Sequence, residues 1–240
     1  MNDTGPFNDF APFTDSAPKG DAAPEPVTLR GLVVDWGGVL TGDLRTAVQS
    51  WAEADGVPLD SYVATMRDWM GEPYGVEARL NPIHALERGE MTVPDFESRL
   101  AEALTVRTGR PFDADGLLDR LFGHFEHAPD MSGLVRRARA AGLRTALLSN
   151  SWGNDYPRDG WDSMFDVVVI SGEVGMRKPE PEIFERTLEL LGLQAPEAVF
   201  VDDIRHNVDA AVALGMVGVH HQSYDESLLE LEALFGIPLS

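Results

Sequence analysis

The chain has 240 residues, 43% of them hydrophobic, so it is long enough for one large domain or two small ones with a sizeable core. Asp and Glu number 40 against 19 Lys and Arg, a net charge of −21 that argues against nucleic acids and anionic membranes as partners, because both need a basic surface. The lack of cysteine excludes disulfides and thiolate chemistry. No apolar stretch is long enough to cross a bilayer, and we expect a cytoplasmic protein whose oligomeric state the sequence leaves open.

Residues 1–28 are expected to form a disordered acidic tail. The first 26 residues are rich in Pro, Gly, Asp and Ala, show no periodicity, and lack the basic start and apolar middle of a signal peptide. An alternative is a short docking segment that uses Phe7, Phe10 and Phe13, since their spacing suits one face of a helix.

A short apolar strand is predicted over 29–35, and a long helical block follows it over 44–128. Within this block we predict helices over 44–56 and 58–71, a third opened by the capping-box pair Thr92 and Asp95 and running through Leu104, and a fourth from Ala114. No strand of comparable quality interrupts the block. We therefore expect it to be a helical cap inserted into a core formed by residues 29–43 and 129–240.

After Pro129 the pattern changes to an alternation of helices and short apolar strands. Strands are predicted over 144–151, 166–175, 198–203 and 217–221, with helices over 131–142, 182–192 and 207–215. Apolar strands alternating with helices indicate a parallel sheet covered on both faces. The predicted fold class is α/β, a Rossmann-like parallel sheet with an inserted α-helical cap.

Polar residues occur at or just after the ends of these strands. They are Asp35 in VVDWGGV, Ser149 in ALLSNS, Lys178 in GMRKPEP, and the pair Asp202–Asp203 in VFVDDIRHN. Each alone is most simply a turn, cap or surface residue. Ligands of open parallel sheets bind beyond the carboxyl ends of the strands, where these residues would meet. A carboxylate, a hydroxyl, a cation and a diacid together suit phosphoryl transfer with Mg²⁺.

This set of motifs, with a helical insertion after the first one, resembles the haloacid dehalogenase superfamily of phosphatases and related hydrolases. The resemblance covers residues 29–240, and the stretches GMRKPEPEIF and VFVDDIRHNVDAAVALGM are especially similar to the subgroup whose small helical cap follows the first motif. It implies a cap that closes over the site, a Mg²⁺ cofactor, and a small phosphorylated metabolite as the substrate.

The resemblance also implies a role for each motif residue. Asp35 is the expected nucleophile and forms an aspartyl-phosphate. Ser149, with the amide of Asn150, binds the phosphoryl oxygens, and Lys178 neutralises the charge shared by Asp35 and the phosphoryl group. The implied Mg²⁺ ligands are Asp35, the carbonyl of Gly37, and Asp203 with Asp202 beside it.

The loop after Asp35 is expected to contact the substrate. Trp36 follows the nucleophile directly and flanks the entrance, and Gly37 and Gly38 let backbone amides approach a phosphoryl group. Other candidates to line the cleft, or simply to pack the cap's helices, are Trp51, Met66, Trp69, Met70 and Tyr74. The segment 156–161, YPRDGW, could also reach the cleft.

One position departs from the phosphatase pattern. The family usually has a second aspartate two residues after the nucleophile, where it protonates the leaving oxygen and then activates water, but this chain has Gly37.

Three hypotheses about the function remain. The chain is a phosphatase that manages without this acid, acting on a good leaving group such as that of a sugar 1-phosphate or an acyl phosphate, or taking a proton from His206 or His84. It is a dehalogenase, although halide displacement has no use for the diacid. Or it binds phosphate ligands or other proteins without catalysis, although Asp35, Lys178 and Asp203 are intact.

Overall fold

The structure is a computed structural model that describes residues 28–70, 81–153 and 156–240. The predicted N-terminal tail, apart from its last residue, and Tyr74 lie outside the described residues. None of the described helices is long and apolar enough to cross a membrane.

A parallel sheet of five strands forms the centre of the molecule and confirms the predicted fold class. Its strand order is β3-β2-β1-β4-β5, so the first strand of the chain lies in the middle. The strands are β1 (Gly31–Val34), β2 (Arg144–Ser149), β3 (Val167–Ile170), β4 (Ala198–Asp202) and β5 (Val217–His220).

Helices form the remainder of the regular structure in the described ranges. They are α1 (Leu44–Ala54), α2 (Leu59–Met70), α3 (Pro82–Glu87), α4 (Val93–Thr108), α5 (Leu117–Phe122), α6 (Pro129–Ala140), α7 (Ser171–Val174), α8 (Pro181–Leu191), α9 (Arg205–Ala213) and α10 (Tyr224–Phe235). Two short 3₁₀ turns cover Trp161–Ser163 and Ala195–Glu197.

Both faces of the sheet are buried, which explains why its strands are almost continuously apolar. Successive residues of a strand point to opposite faces. Leu32 and Val34 accordingly pack in a layer with α6 and α10, whereas Val33 packs in the other layer with Phe184 of α8 and Ala211 of α9.

Helices α1 to α5, which we call the helical insert, have a hydrophobic core of their own. Trp51, Phe96, Leu100 and Leu104 lie in it and are fully buried. The chain segments that enter and leave the insert run side by side: Gly42 N–H donates to the carbonyl of Glu126 at 2.8 Å, beside an antiparallel bridge between residues 41 and 127. The insert is thus attached to the sheet through two adjacent segments.

The predicted elements differ from the observed ones mainly at their ends. The strand predicted over 166–175 ends at Ile170, and a four-residue helix, α7, replaces its second half. The helix opened by Thr92 continues to Thr108, because its left-handed stop is Gly109. Helices α3 and α10 were not predicted, although Asn81 and Ser223 cap them with their side chains and Gly236 ends α10.

Candidate active site

The candidate site lies beyond the carboxyl end of the central strand. Val34, the last residue of β1, is paired with Leu147 of β2 on one side and with Val201 of β4 on the other. Asp35 continues this ladder, since its N–H donates to the carbonyl of Val201 at 2.9 Å. The sheet register therefore brings the nucleophile candidate next to the strand ends that carry Ser149 and Asp202.

Lys178 joins two of the acids. Its ammonium lies 2.8 Å from Oδ1 of Asp35 and 2.7 Å from Oδ2 of Asp202, and the lysine is only 1% exposed. A charged lysine is stable at such depth only when it is paired, and here it has two carboxylate partners. Lys178 is therefore a fixed positive charge beside Asp35.

Asn150 holds the backbone of Lys178. Its side-chain amide donates to the carbonyl of Lys178 at 3.0 Å, and its side-chain oxygen accepts from the N–H of Lys178 at 2.8 Å. The side chain of Asn150 thus positions Lys178, a role different from the phosphoryl contact predicted for the amide of Asn150.

Ser149 is buried at the end of β2, and its hydroxyl lies 3.0 Å from the hydroxyl of Tyr156. Tyr156 also packs edge-on against Trp36, with ring centroids 4.9 Å apart. Burial raises the pKa of Tyr156 to about 12, so it stays protonated at neutral pH. Tyr156 begins the segment 156–161 that the sequence indicated could reach the cleft, but its hydrogen bond with Ser149 has no signal in the sequence.

The three acids form a compact carboxylate cluster. Asp35, Asp202 and Asp203 each offer an oxygen within 4.8 Å of the others. The oxygens of Asp202 are already engaged, by Lys178, by the side chain of Asn207 and by the N–H of Ile204. Oδ1 of Asp203, by contrast, is buried and has no hydrogen-bond partner.

An unpartnered buried carboxylate oxygen beside two other carboxylates fits a hard divalent cation such as Mg²⁺, which takes oxygen ligands. The pKa values of the cluster support this interpretation, because a bound cation would stabilise carboxylates whose charged forms are disfavoured. Burial raises the pKa of Asp35 to about 8, Lys178 opposes this shift, and Asp202 adds to it. Burial and Asp202 likewise raise the pKa of Asp203 to about 6.

The loop after Asp35 contains two glycines with different constraints. Gly38 has a φ of +71°, a Cβ there would overlap the carboxyl group of Asp203, and its N–H donates to Oγ1 of Thr41 at 2.8 Å. A Cβ on Gly37 would meet only Leu44, at 3.6 Å, which is ordinary contact. A side chain is therefore disfavoured at Gly38, whereas the backbone of Gly37 does not require glycine.

The other candidates lie around this centre or away from it. Trp36 is half-buried and stacks on Phe125 with ring centroids 5.9 Å apart. His206 is exposed on the first turn of α9, and His84 is buried in α3 of the insert. Of the side chains expected either to line the cleft or to pack the helices of the insert, three pack within the insert: Trp51, Met66 and, in part, Trp69. Met70 is exposed.

A family model described as haloacid dehalogenase-like hydrolase matches residues 29–215. Among curated proteins, the chain is 31% identical over 218 residues to acyl-CoA dehydrogenase family member 10 of Mus musculus, a match that covers 88% of this chain and 19% of that protein. It is 35% identical over 111 residues to a sesquiterpene phosphatase of Aspergillus oryzae, covering 44% of this chain and 56% of that protein. The chain thus spans only part of the length of these relatives.

Two solved structures are similar to the whole fold. One is a HAD family enzyme from Bacteroides thetaiotaomicron in complex with magnesium and inorganic phosphate, with a TM-score of 0.56, 20% identity, and coverage of 81% of this chain and 94% of that one. The other is a dehalogenase, with a TM-score of 0.59, 26% identity, and coverage of 86% and 96%.

Proposed function

The chain belongs to the haloacid dehalogenase-like hydrolase family, and we propose that it is a Mg²⁺-dependent phosphatase that acts on a small phosphorylated metabolite through an aspartyl-phosphate on Asp35. Two observations carry the proposal: Asp35, Asp202 and Asp203 each offer a carboxylate oxygen within 4.8 Å of the others, and Oδ1 of Asp203 is buried without a hydrogen-bond partner. Halide leaves without protonation and its displacement needs no divalent cation, so a carboxylate cluster that fits Mg²⁺ favours phosphoryl transfer.

The relatives support the same reaction type. One is named a sesquiterpene phosphatase, and one structural neighbour holds magnesium and inorganic phosphate. Because one structural neighbour is a dehalogenase, halide displacement is the competing reaction, and the experiment below tests for it.

In the first proposed step an oxygen of the Asp35 carboxylate attacks phosphorus, and the bond from phosphorus to the alcohol oxygen breaks. Lys178, 2.8 Å from Oδ1 of Asp35, stabilises the negative charge that develops on the phosphoryl oxygens. The hydroxyl of Ser149 donates a hydrogen bond to one of these phosphoryl oxygens. Mg²⁺, when held by Asp35, Asp203 and the carbonyl of Gly37, supplies further positive charge there.

In the second step water attacks phosphorus of the aspartyl-phosphate, inorganic phosphate leaves, and the Asp35 carboxylate is restored. Gly37 can neither protonate the leaving oxygen in the first step nor activate water in the second. Tyr156 is a poor acid, because burial raises its pKa to about 12. We therefore propose that the natural substrate has a leaving group that departs with little protonation.

The direct test is a screen of aryl phosphates, sugar 1-phosphates and acyl phosphates with Mg²⁺ or with EDTA. We expect Mg²⁺-dependent release of phosphate, lost in Asp35→Asn. A parallel assay with 2-haloacids is expected to release no halide. Halide release without phosphate release would replace the proposal by dehalogenation, and undiminished phosphate release by Asp35→Asn would overturn the assignment of the nucleophile.

A further inference from the structure

Two hydroxyl groups lie side by side at the end of β2. Oγ of Ser149 is 3.0 Å from the hydroxyl oxygen of Tyr156, and Ser149 is only 1% exposed. Among the described residues, Tyr156 is the one hydrogen-bond partner of the Ser149 side chain. The proposed reaction uses the hydroxyl of Ser149 but gives no role to the hydroxyl of Tyr156.

The ring of Tyr156 is held by two tryptophans. It packs edge-on against Trp36 with ring centroids 4.9 Å apart, and against Trp161 with ring centroids 5.7 Å apart. These contacts leave the ring little freedom to turn its hydroxyl away from Ser149. Burial is the main cause of the raised pKa of Tyr156, but the charge of Asp35 also raises this pKa and that of Lys178 lowers it. The hydroxyl therefore lies near the reacting groups.

The number of available hydrogens sets the direction of the Ser149–Tyr156 hydrogen bond once a ligand is bound. Each hydroxyl has one hydrogen to donate, whereas an ionised phosphoryl oxygen can only accept. If Ser149 donates to Tyr156, it has no hydrogen left for the phosphoryl group. If Tyr156 donates to Ser149, the hydrogen of Ser149 is free to point at a phosphoryl oxygen, and the two hydrogen bonds of this chain strengthen each other.

Tyr156 is suited to the role of donor. It stays protonated at neutral pH, because burial raises its pKa to about 12. We infer that Tyr156 is a positioning residue, which donates to Oγ of Ser149 and thereby directs the hydroxyl hydrogen of Ser149 at a phosphoryl oxygen. This inference rests on the proposed phosphatase function for the identity of the ligand, but the pair of hydroxyls is a separate observation.

The first test is Tyr156→Phe, which removes the hydroxyl and keeps the ring between the two tryptophans. We expect kcat for an aryl phosphate to fall about tenfold, the effect of one hydrogen bond, while KM changes less than about twofold. The matched control is Tyr62→Phe in α2, because Tyr62 is also buried and packs edge-on against a tryptophan, Trp51, with ring centroids 5.2 Å apart. We expect this control to keep the wild-type kcat. A wild-type kcat in Tyr156→Phe would overturn the inference and leave the phosphatase function intact.

A second substitution separates positioning from direct contact with the substrate. Ser149→Ala removes a donor to the phosphoryl group, and we expect it to lower kcat by roughly 10². In the Ser149→Ala background, Tyr156→Phe is expected to lower kcat by less than about twofold, because no hydroxyl is left to direct. The same loss from Tyr156→Phe in both backgrounds would show that Tyr156 does not act through Ser149, and it would overturn the inference.

Vanadate binding tests the inference without turnover. Vanadate adopts a five-coordinate geometry like that of phosphorus during transfer, and its affinity for the full chain in the presence of Mg²⁺ can be measured by calorimetry. We expect the dissociation constant to rise about tenfold in Tyr156→Phe and to stay unchanged in Tyr62→Phe. This result in a chain that hydrolyses no phosphate ester would reject the phosphatase function and retain the inference. Equal affinities of the wild type and Tyr156→Phe, or no binding of vanadate by the wild type, would reject the inference.

Discussion

The carboxylate cluster and the helical insert differ in both composition and origin. The cluster comes entirely from the core, where the buried Lys178 pairs with Asp35 and Asp202, and Asp203 lies beside them. The insert has a hydrophobic core of its own, in which Trp51, Phe96, Leu100 and Leu104 are fully buried. We therefore expect changes at the edge of the sheet to alter mainly the reaction, and changes in the insert to alter mainly stability. The experiments below alter one region at a time.

The largest expected effect is the fall in kcat when the proposed nucleophile, Asp35, is replaced. Asp35→Asn keeps the shape of the side chain but removes the attacking oxygen anion, so we expect kcat to fall by on the order of 10⁴ or more. Asp119→Asn, an exposed acid on α5, serves as the control and is expected to retain full activity. Phosphate release under saturating substrate and Mg²⁺ measures both variants. A loss of less than tenfold in Asp35→Asn would mean that another group attacks.

Substitutions of the adjacent acids Asp202 and Asp203 are expected to have different effects, one on stability and the other on Mg²⁺ binding. Asp202 pairs with Lys178 and accepts hydrogen bonds from Asn207, so Asp202→Asn is expected to lower the free energy of unfolding by about 3–5 kcal/mol. Asp203→Asn has no such partner to lose at Oδ1, and its main effect is expected to be an increase of about tenfold or more in the Mg²⁺ concentration needed for half-maximal activity. Urea unfolding and Mg²⁺ titrations of both variants test this division. Equal losses of stability would contradict it.

An ion pair links the insert to the segment that carries Lys178. Glu87 of α3 and Arg177 are 7% and 8% exposed and pair with each other, and Glu87 also accepts from Trp152 Nε1 at 3.2 Å. We expect Glu87→Gln to reduce stability by about 1.5–3 kcal/mol, because a buried charge-assisted hydrogen bond is weakened.

The matched control is the exposed pair of Arg186 and Glu189, where Glu189→Gln is expected to cost under about 1 kcal/mol. Thermal unfolding of the two variants measures the difference. If both lost the same stability, the pair at Glu87 would contribute no more than a surface contact does.

Substitution of Gly37 is expected to have the smallest effect on the rate, and one that is specific to substrates with poor leaving groups. Wild-type rates should depend steeply on leaving-group acidity, because position 37 offers no acid. A Cβ at position 37 would meet only Leu44, at ordinary contact distance. For Gly37→Asp we expect about tenfold faster hydrolysis of alkyl phosphates, less than the roughly 10²–10⁴ of a well-positioned acid, provided that Mg²⁺ still binds.

Gly38→Asp is the contrasting variant, since its φ of +71° and the adjacent Asp203 carboxyl disfavour any side chain, and it is expected to lose stability and activity. Comparison of alkyl and aryl phosphates across the wild type and both variants tests this. A flat dependence on the leaving group in the wild type would mean that another residue already donates the proton, with His206 the first to replace.

The same two regions explain which features the sequence could predict. Asp35, Ser149 and Asp202 each follow or end an apolar run, and parallel strands bring such ends together, so their proximity could be expected from local patterns alone. The Ser149–Tyr156 hydrogen bond and the Glu87–Arg177 pair join positions whose spacing reflects no periodicity, and only the packed fold brings them into contact. Helices α3 and α10 are a different case. The caps of both are legible in the sequence, and α10 also has an apolar face at Leu228, Leu231 and Leu234, so it could have been predicted, whereas the six residues of α3 are too few for a periodic pattern.

The central claim is that Asp35 carries the phosphoryl group during turnover. The most direct measurement is to quench the enzyme with acid during hydrolysis of an aryl phosphate, reduce it with borohydride, and identify the modified residue by mass spectrometry. Borohydride converts an aspartyl-phosphate to homoserine, so the account predicts homoserine at position 35 in the wild type only when substrate and Mg²⁺ are present. Turnover of the substrate without any modification of Asp35 would contradict it.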